Sequence, residues 1–426
     1  MIHVLILAAV LPSKAAECVP ARWGSTDPAS LALLAESPIN CLLVDDQKFT
    51  KEFADAARAK NIRVFRAAET GEGLVVRDGE VVVARLTPRS KLAWDGAITG
   101  STQGLWPGVK AEKAGKVEAR PTGTAWIETN SGFLRFVRAN VAEGTAVWLA
   151  NRPPDNTVLG PQRYIQAIGD AALAGARWVI SLDSDFQKRM LDGDAKALEG
   201  WKRINRALRF YEENRELWMQ PEAGRLAVVQ DPGSGALFSG SILDMIAAKN
   251  IPSEIVPTDR LMGMSLPDVK LLLNIDPAGL NDAQKEKVRS VARGGATVVN
   301  GPPGWKLDLP QDGSITIPEN QVKQLDDAWR EINGILGRRN FGVRLFNASS
   351  VLSSLRASAD RKRVALHMVN YSDYPLESVT VEALGMYKSA TLLTPQGRRK
   401  LDVFQGEEQT EITIEKMEEV AILILE

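Results

Sequence analysis

Two hydrophobic periods take turns along the first half of the chain. Short runs rich in Val, Ile and Leu read as strands, and they alternate with stretches whose apolar residues recur every three or four positions, as on one helix face. "CVPARW" leads into "DPASLALLAES", where Asp27 suits a helix cap and Pro28 a first helical turn. "NCLLVD" leads into "FTKEFADAARAKN", and "IRVFRA" follows. "GLVVRDGEVVVARL" then interrupts, with Asp78-Gly79 between Val-rich arms predicting an inserted hairpin. The rhythm resumes with "GAITGSTQG", "TAWIETN" before "GFLRFVRANV", and "AVWLAN" before "QRYIQAIGDAALAGA". It closes on "RWVISLD" and a long amphipathic helix ending near Trp218. Strand–helix units repeated in this way predict a (β/α)8-type barrel over residues 17–220, with room for one missing unit.

The pattern then changes twice. "GRLAVVQDP", "FSGSILDMIAAKN", "SEIVP", "VKLLLNID" and "ATVVNGPPGW" predict a small flavodoxin-like parallel α/β domain over 224–306. Within it, Asn281 and Gln284 form a capping-box pattern and Gly294-Gly295 a helix stop. Its Gly-rich "DPGSGALFSG" has Phe238 where a dinucleotide fingerprint needs a third glycine, and no P-loop lysine follows, so a tight turn is the better reading. A helical connector over 319–338 precedes alternating runs such as "RVALHMVNYS", "ESVTVEAL" and "TEITIEKMEEVAILILE". Those predict an antiparallel β-sandwich over 341–426. His367, mid-strand among Ala365, Leu366 and Met368, reads as a structural residue.

Composition removes several chemistries. With a formal net charge of -1 over 426 residues, nothing points to nucleic acid or a membrane surface. Two histidines and two cysteines leave no material for a His-rich zinc site, a Cys cluster or a Ser-His-Asp triad. No metal or cofactor is therefore expected, and chemistry must run on carboxylates, Lys, Tyr or amides. The apolar run Ile2 to Leu11, followed by Ser13-Lys14-Ala15, predicts a signal peptide over 1–16 and a secreted or periplasmic protein. A buried first strand is the competing reading. No stretch is long enough to span a bilayer. Export would permit a Cys18–Cys41 disulfide; the alternative, two buried thiols, stays open.

Alternation places the candidate site. Functional side chains of such barrels stand at the carboxyl ends of strands. In "RWVISLDSD", Trp178, Ile180 and Leu182 share one face, leaving Ser181 and Asp183 for the barrel mouth. In "AWIETN" the same logic groups Trp126, Glu128 and Asn130. Glu128 and Asp183 are the candidate carboxylate pair, on strands two apart, with backbones roughly 10 Å from one another. Asp45-Asp46 and Glu69 read more readily as caps than as rim residues, while for Asp185 a cap on the following helix and a rim position stand level. Trp23, Trp106, Trp126 and Trp148 fall near the same rim, where aromatic faces suit sugar rings, with core packing as the competing role. Asn130, Asn151 and Arg152 are placed to hydrogen-bond hydroxyls or to satisfy loop backbone.

The stretches "TGSTQGLWPGV", "TAWIETNSGFLRF", "YIQAIGDAALAGARWVISLD" and "GRLAVVQDPGSG" resemble pieces of multidomain glycoside hydrolases. The domain order is similar to that of three-domain β-galactosidases, whose middle domain promotes trimerisation. The resemblance implies an oligo- or polysaccharide substrate, hydrolysis by two carboxylates, and a homo-oligomer through the middle domain. Those enzymes carry Glu after the fourth and seventh strands; here Glu128 falls on the fifth and the seventh ends in Asp183. The expected function is thus a glycoside hydrolase, and the alternative a non-catalytic carbohydrate-binding or scaffold protein.

Overall fold

The computed structural model describes residues 17–70, 73–77, 98–100, 109–111, 119–121, 130–142, 145–153, 157–231, 242, 245–266, 268–275, 279–301, 322–358 and 360–426. The expected signal segment, Asp78-Gly79, Trp106, Trp126, Glu128 and the Gly-rich turn after Asp231 lie outside them.

β1 (Pro20–Arg22), β2 (Cys41–Asp45) and β3 (Arg63–Thr70) pair in parallel, with α1 (Lys51–Arg58) crossing between the last two. Thr50 starts α1 by accepting from the Phe53 N–H. The stretch after Asp27 forms a 3-10 helix, Pro28–Leu34, rather than an α-helix. β3 turns back into β4 (Gly73–Arg77), which pairs with it antiparallel. The first Val-rich arm thus pairs with the strand before it, and the second lies outside the described residues. β5 (Ile98–Gly100) and a short antiparallel ribbon, β6 (Val109–Ala111) with β7 (Ala119–Pro121), come next. α2 (Ser131–Asn140), β8 (Val147–Leu149), α3 (Pro161–Leu173) and β9 (Arg177–Trp178) restore the strand–helix rhythm. β8 pairs in parallel with both β5 and β9. A parallel bridge from Ala21 to Ile180 joins the two sheets, with Arg22 N–H donating to Ile180 O at 2.8 Å. The order is therefore β5-β8-β9-β1-β2-β3-β4. Closure into an eight-stranded barrel is not among the described pairings; what is shown is a mixed α/β architecture.

Alternation splits this sheet into two faces. Leu42, Val44, Trp178 and Ile180 join the large core on the helix side. Cys41, Leu43, Phe65, Trp148 and Val179 form a separate inner layer. Cys18 and Cys41 are disulfide-bonded in that layer, both fully buried, with Cα atoms 5.5 Å apart and 23 residues of separation. By loop-closure entropy such a crosslink stabilises by about 3 kcal/mol.

The long helix expected after Asp183 is broken into α4 (Ser184–Leu191), α5 (Ala195–Glu213) and α6 (Arg215–Trp218). The first break falls at Gly193, whose φ of +82° suits a residue without Cβ, and Asp194 recaps the chain by accepting from Ala197 N–H at 2.8 Å.

β10 (Leu226–Gln230), β11 (Ser253–Pro257), β12 (Leu271–Asn274) and β13 (Thr297–Asn300) form an all-parallel sheet in the order β11-β10-β12-β13. α7 (Asp282–Arg293) between the last two opens with the Asn281–Gln284 capping box. After α8 (Val322–Leu336), β14 (Val343–Phe346), β15 (Val351–Ala357), β16 (Val364–Asn370) and β17 (Leu376–Leu384) begin the last part of the chain. β18 (Ala390–Thr394), β19 (Gly397–Leu401), β20 (Phe404–Gln405), β21 (Gln409–Met417) and β22 (Val420–Leu425) complete it. They make two antiparallel sheets, β14-β17-β21-β20 and β15-β16-β22-β18-β19, over a shared apolar cluster.

The second of these sheets leans its other face on the first part of the chain. Gly169 in α3 is the point of closest approach: a Cβ there would stand 2.7 Å from Val369 Cγ2 and 3.0 Å from Val420 Cγ1. Gln166 of α3 donates to Asn370 O at 2.8 Å, and Arg163 donates to Tyr371 O at 3.0 Å. Residues 221–223 run antiparallel along β15, with Ala223 N–H donating to Leu355 O at 2.9 Å, so the sheet edge is covered.

His367 is 1% exposed in β16, and burial, aided by the nearby Arg356 charge, pushes its imidazole down to about 3 from 6.5. Below pH 6.5 the unfolded chain takes up a proton that the folded chain refuses until about pH 3, so this residue's contribution is lost as pH falls through that window. Between pH 7 and 4.5 the parent should lose about 2–3 kcal/mol more than a His367→Leu variant in urea denaturation. Equal losses in the two proteins would mean the imidazole does not titrate this way.

Candidate functional site

The carboxyl ends of β1, β2 and β3 and the segment following β9 surround a cavity of about 550 Å3. Strand alternation explains its lining. Arg22 and Asp45 are the last residues of β1 and β2, and Ser181 lies two positions beyond Val179 of the inner layer. Each continues the inward face of its strand to the point where apolar filling ends. Trp23, Lys48, Arg152, Asp183 and Gln187 complete the polar wall.

These groups hold one another. Arg22 Nη1 donates to Ser181 Oγ at 2.5 Å and Nη2 to Ala150 O at 2.7 Å, while Ser181 donates to Val179 O at 2.8 Å. Trp23 is 5% exposed; its indole N–H donates to Ser30 Oγ at 3.0 Å and its ring meets Trp201 at 6.3 Å. Asp45 accepts from Gln47 N–H at 2.9 Å.

Asp183 is 7% exposed and is the N-cap of α4: its Oδ1 accepts from Phe186 N–H at 2.8 Å. Its Oδ2 accepts from Leu159 N–H at 3.2 Å and from the Tyr164 hydroxyl. Burial first, and then the Asp183 charge, push the Tyr164 phenol well above its ordinary value, so it stays protonated and donating. A carboxylate has about four acceptor directions. Three are taken, which fixes the orientation of the group.

The other candidates fall in different places. Trp23 and Asp183 both border the cavity, but the Trp23 ring is packed into the core against Trp201 instead of facing the opening. Trp148, expected at the rim, is fully buried in the inner layer and does not line it. Period two reports which face a side chain takes, not its depth along the strand. Asn130 is fully buried, and its Nδ2 donates to Asp170 Oδ2 at 2.9 Å. Asp170 also accepts from the Tyr371 hydroxyl, so Asn130 helps tie α2 to α3 and to the end of β16. Asn151 is 3% exposed, its main-chain oxygen accepts from Trp178 Nε1 at 3.0 Å, and it is not on the cavity wall. Trp106, Trp126 and Glu128 lie outside the described residues. Arg22, Lys48 and Gln187 were not singled out from sequence; for Arg22 the strand-end position in "CVPARW" was the available signal. No group of three His, Cys, Asp or Glu side chains suited to a metal ion occurs among the described residues.

No protein-family model matches the chain, and no curated protein matches it in sequence. Among solved structures, it is similar to α-L-fucosidase isoenzyme 2 from Paenibacillus thiaminolyticus, with a TM-score of 0.50 at 11% identity. That likeness covers 70% of this chain and 62% of the fucosidase. A rhamnosidase from Novosphingobium sp. PP1Y follows at TM-score 0.44 and 11% identity, covering 70% of this chain and 33% of that one. An exo-carrageenase from Bacteroides ovatus follows at 0.42 and 11%, covering 77% and 47%. The fold is glycoside-hydrolase-like. The chain spans about three-fifths of the fucosidase it resembles. No helix among the described residues is long and apolar enough to cross a membrane.

Proposed function

We propose that the protein is an exported glycoside hydrolase that cleaves a glycosidic bond with Glu128 and Asp183. The observation that carries this reading is the oriented Asp183 carboxylate on the wall of a polar cavity at the carboxyl ends of parallel strands. That is where enzymes built on such sheets keep their chemistry. Arg22, Arg152 and Gln187 on the same wall supply donors for hydroxyls. Glu128 would protonate the leaving oxygen while Asp183 attacks carbon or activates water. The fold likeness to a fucosidase supports a saccharide substrate by analogy. The buried Cys18–Cys41 disulfide supports export, since such bonds persist in oxidising compartments. Self-association through the middle domain is proposed on the resemblance in domain order alone.

One observation favours the second reading, a non-catalytic carbohydrate-binding protein. Asp183 already serves as a helix cap, a role that needs no reaction. A panel of aryl glycosides and polysaccharides, assayed for both hydrolysis and binding, separates the two. Turnover of any member supports the hydrolase, and saturable binding without turnover supports the binding protein. Neither signal on a broad panel would remove both.

A further inference from the structure

A second cavity, of about 420 Å3, lies where the three parts of the chain meet, and its wall is rich in guanidinium groups. Arg135 and Arg138 come from α2, Arg356 from β15, Glu222 from the connector, and Ser253 and Glu254 from β11. Arg135 and Arg356 are only 4% and 5% exposed. Most of their terminal nitrogens go to neutral acceptors. Arg138 donates to Thr145 O at 3.0 Å and Gly175 O at 2.5 Å. Arg356 donates to Gln220 O at 2.8 Å and Leu173 O at 2.5 Å, and Arg135 to Ser253 Oγ at 3.1 Å. The Nε–H groups of all three are buried and have no hydrogen-bond partner among the described residues.

The charges do not balance locally. Glu222 pairs with Arg135 at 3.1 Å and lies 3.8 Å from Arg356. Glu254 adds one further carboxyl to the wall, and burial pushes it up. Arg260 adds a fourth guanidinium to the wall. Burial, then the charges of Arg356, Arg215 and Arg177, lower Arg138 to about 10. Helix-end carbonyls offer only partial negative charge, whereas buried guanidinium groups call for a full one.

We propose that this junction binds a small tetrahedral oxyanion of the phosphate or sulfate class, held by Arg135, Arg138 and Arg356. Such an anion presents several acceptor oxygens and can take charge-assisted bonds from more than one guanidinium. It would join α2 of the first part of the chain to β15 of the last and so favour the native arrangement by mass action. The site is separate from the Asp183 cavity, and the proposal does not rest on the hydrolase reading.

The test is calorimetric titration of the full chain with inorganic phosphate and with sulfate, against chloride at matched ionic strength. Saturable binding is expected, with a rise in Tm that chloride does not give. Hydrogen exchange should show phosphate-dependent protection in residues 135–142, 218–222 and 253–257. Arg138→Gln should weaken phosphate at least tenfold. If that variant does not fold, the exchange map of the parent protein decides. Absence of saturable binding by either anion, protection confined to other segments, or a folded Arg138→Gln with parental affinity would overturn the proposal.

Discussion

Glu222→Gln is expected to destabilise the chain by about 3–5 kcal/mol, more than any surface substitution should. The carboxylate is 10% exposed and one oxygen serves three groups: it accepts from Ser354 Oγ at 2.8 Å, pairs with Arg135 at 3.1 Å and lies 3.8 Å from Arg356. Both arginine side chains are buried, so water cannot replace the lost charge cheaply. An amide keeps the shape and the bond to Ser354 but leaves two buried cations facing one another. Urea denaturation of Glu222→Gln, Arg135→Met and the double variant gives the coupling directly. The double variant should recover part of the loss, because removing one cation relieves the repulsion. A cost below about 1 kcal/mol would show that solvent screens this group as it does an exposed pair. The same geometry bears on proteolysis. Sequence periodicity lapses around Glu222, which suggests a cleavable linker, yet the residue is pinned along β15 and cutting there is not expected.

That contrast shows what the sequence makes legible. Local signals transferred well where a single element decides the outcome. The Asn281–Gln284 capping box formed, the alternation in "RWVISLD" sorted Trp178 and Ile180 from Val179 and Ser181, and His367 was packed away. Signals failed where depth or long-range packing decides. Trp148 has the right face for a rim residue but sits one layer too deep. Arg163, Gln166 and Asp170 on α3 look like a polar helix face, yet they are buried because β16 and β22 cover them. Arg356 reads as an ordinary strand residue; only the meeting of three chain segments makes it a buried cation. Gly169 gives no local hint of its role, which is to let a helix approach a sheet. Barrel closure depended on counting units, and the hairpin β3–β4 shows how a strand can be spent on an antiparallel return instead.

Glu128→Gln should cut turnover of any substrate found by about 10³-fold or more while leaving sugar affinity and melting unchanged. Glu128 stands two residues before Asn130, whose backbone opens α2 and whose side chain is anchored on Asp170. The amide retains size and one acceptor but cannot protonate a leaving oxygen, so the loss should fall on kcat rather than on KM. Asp183→Asn is the companion. Its amide oxygen can still accept from Phe186 N–H, so α4 should keep its cap and the chain its fold. An NH2 would replace the acceptor of Leu159 N–H and Tyr164, at a cost of about 1–3 kcal/mol. Activity should nevertheless collapse, because a neutral amide neither attacks carbon nor takes a proton from water. Parental turnover in Glu128→Gln would remove it from the mechanism. An Asp183→Asn variant that is active but less stable would reduce Asp183 to a helix cap and leave the binding-protein reading in its place.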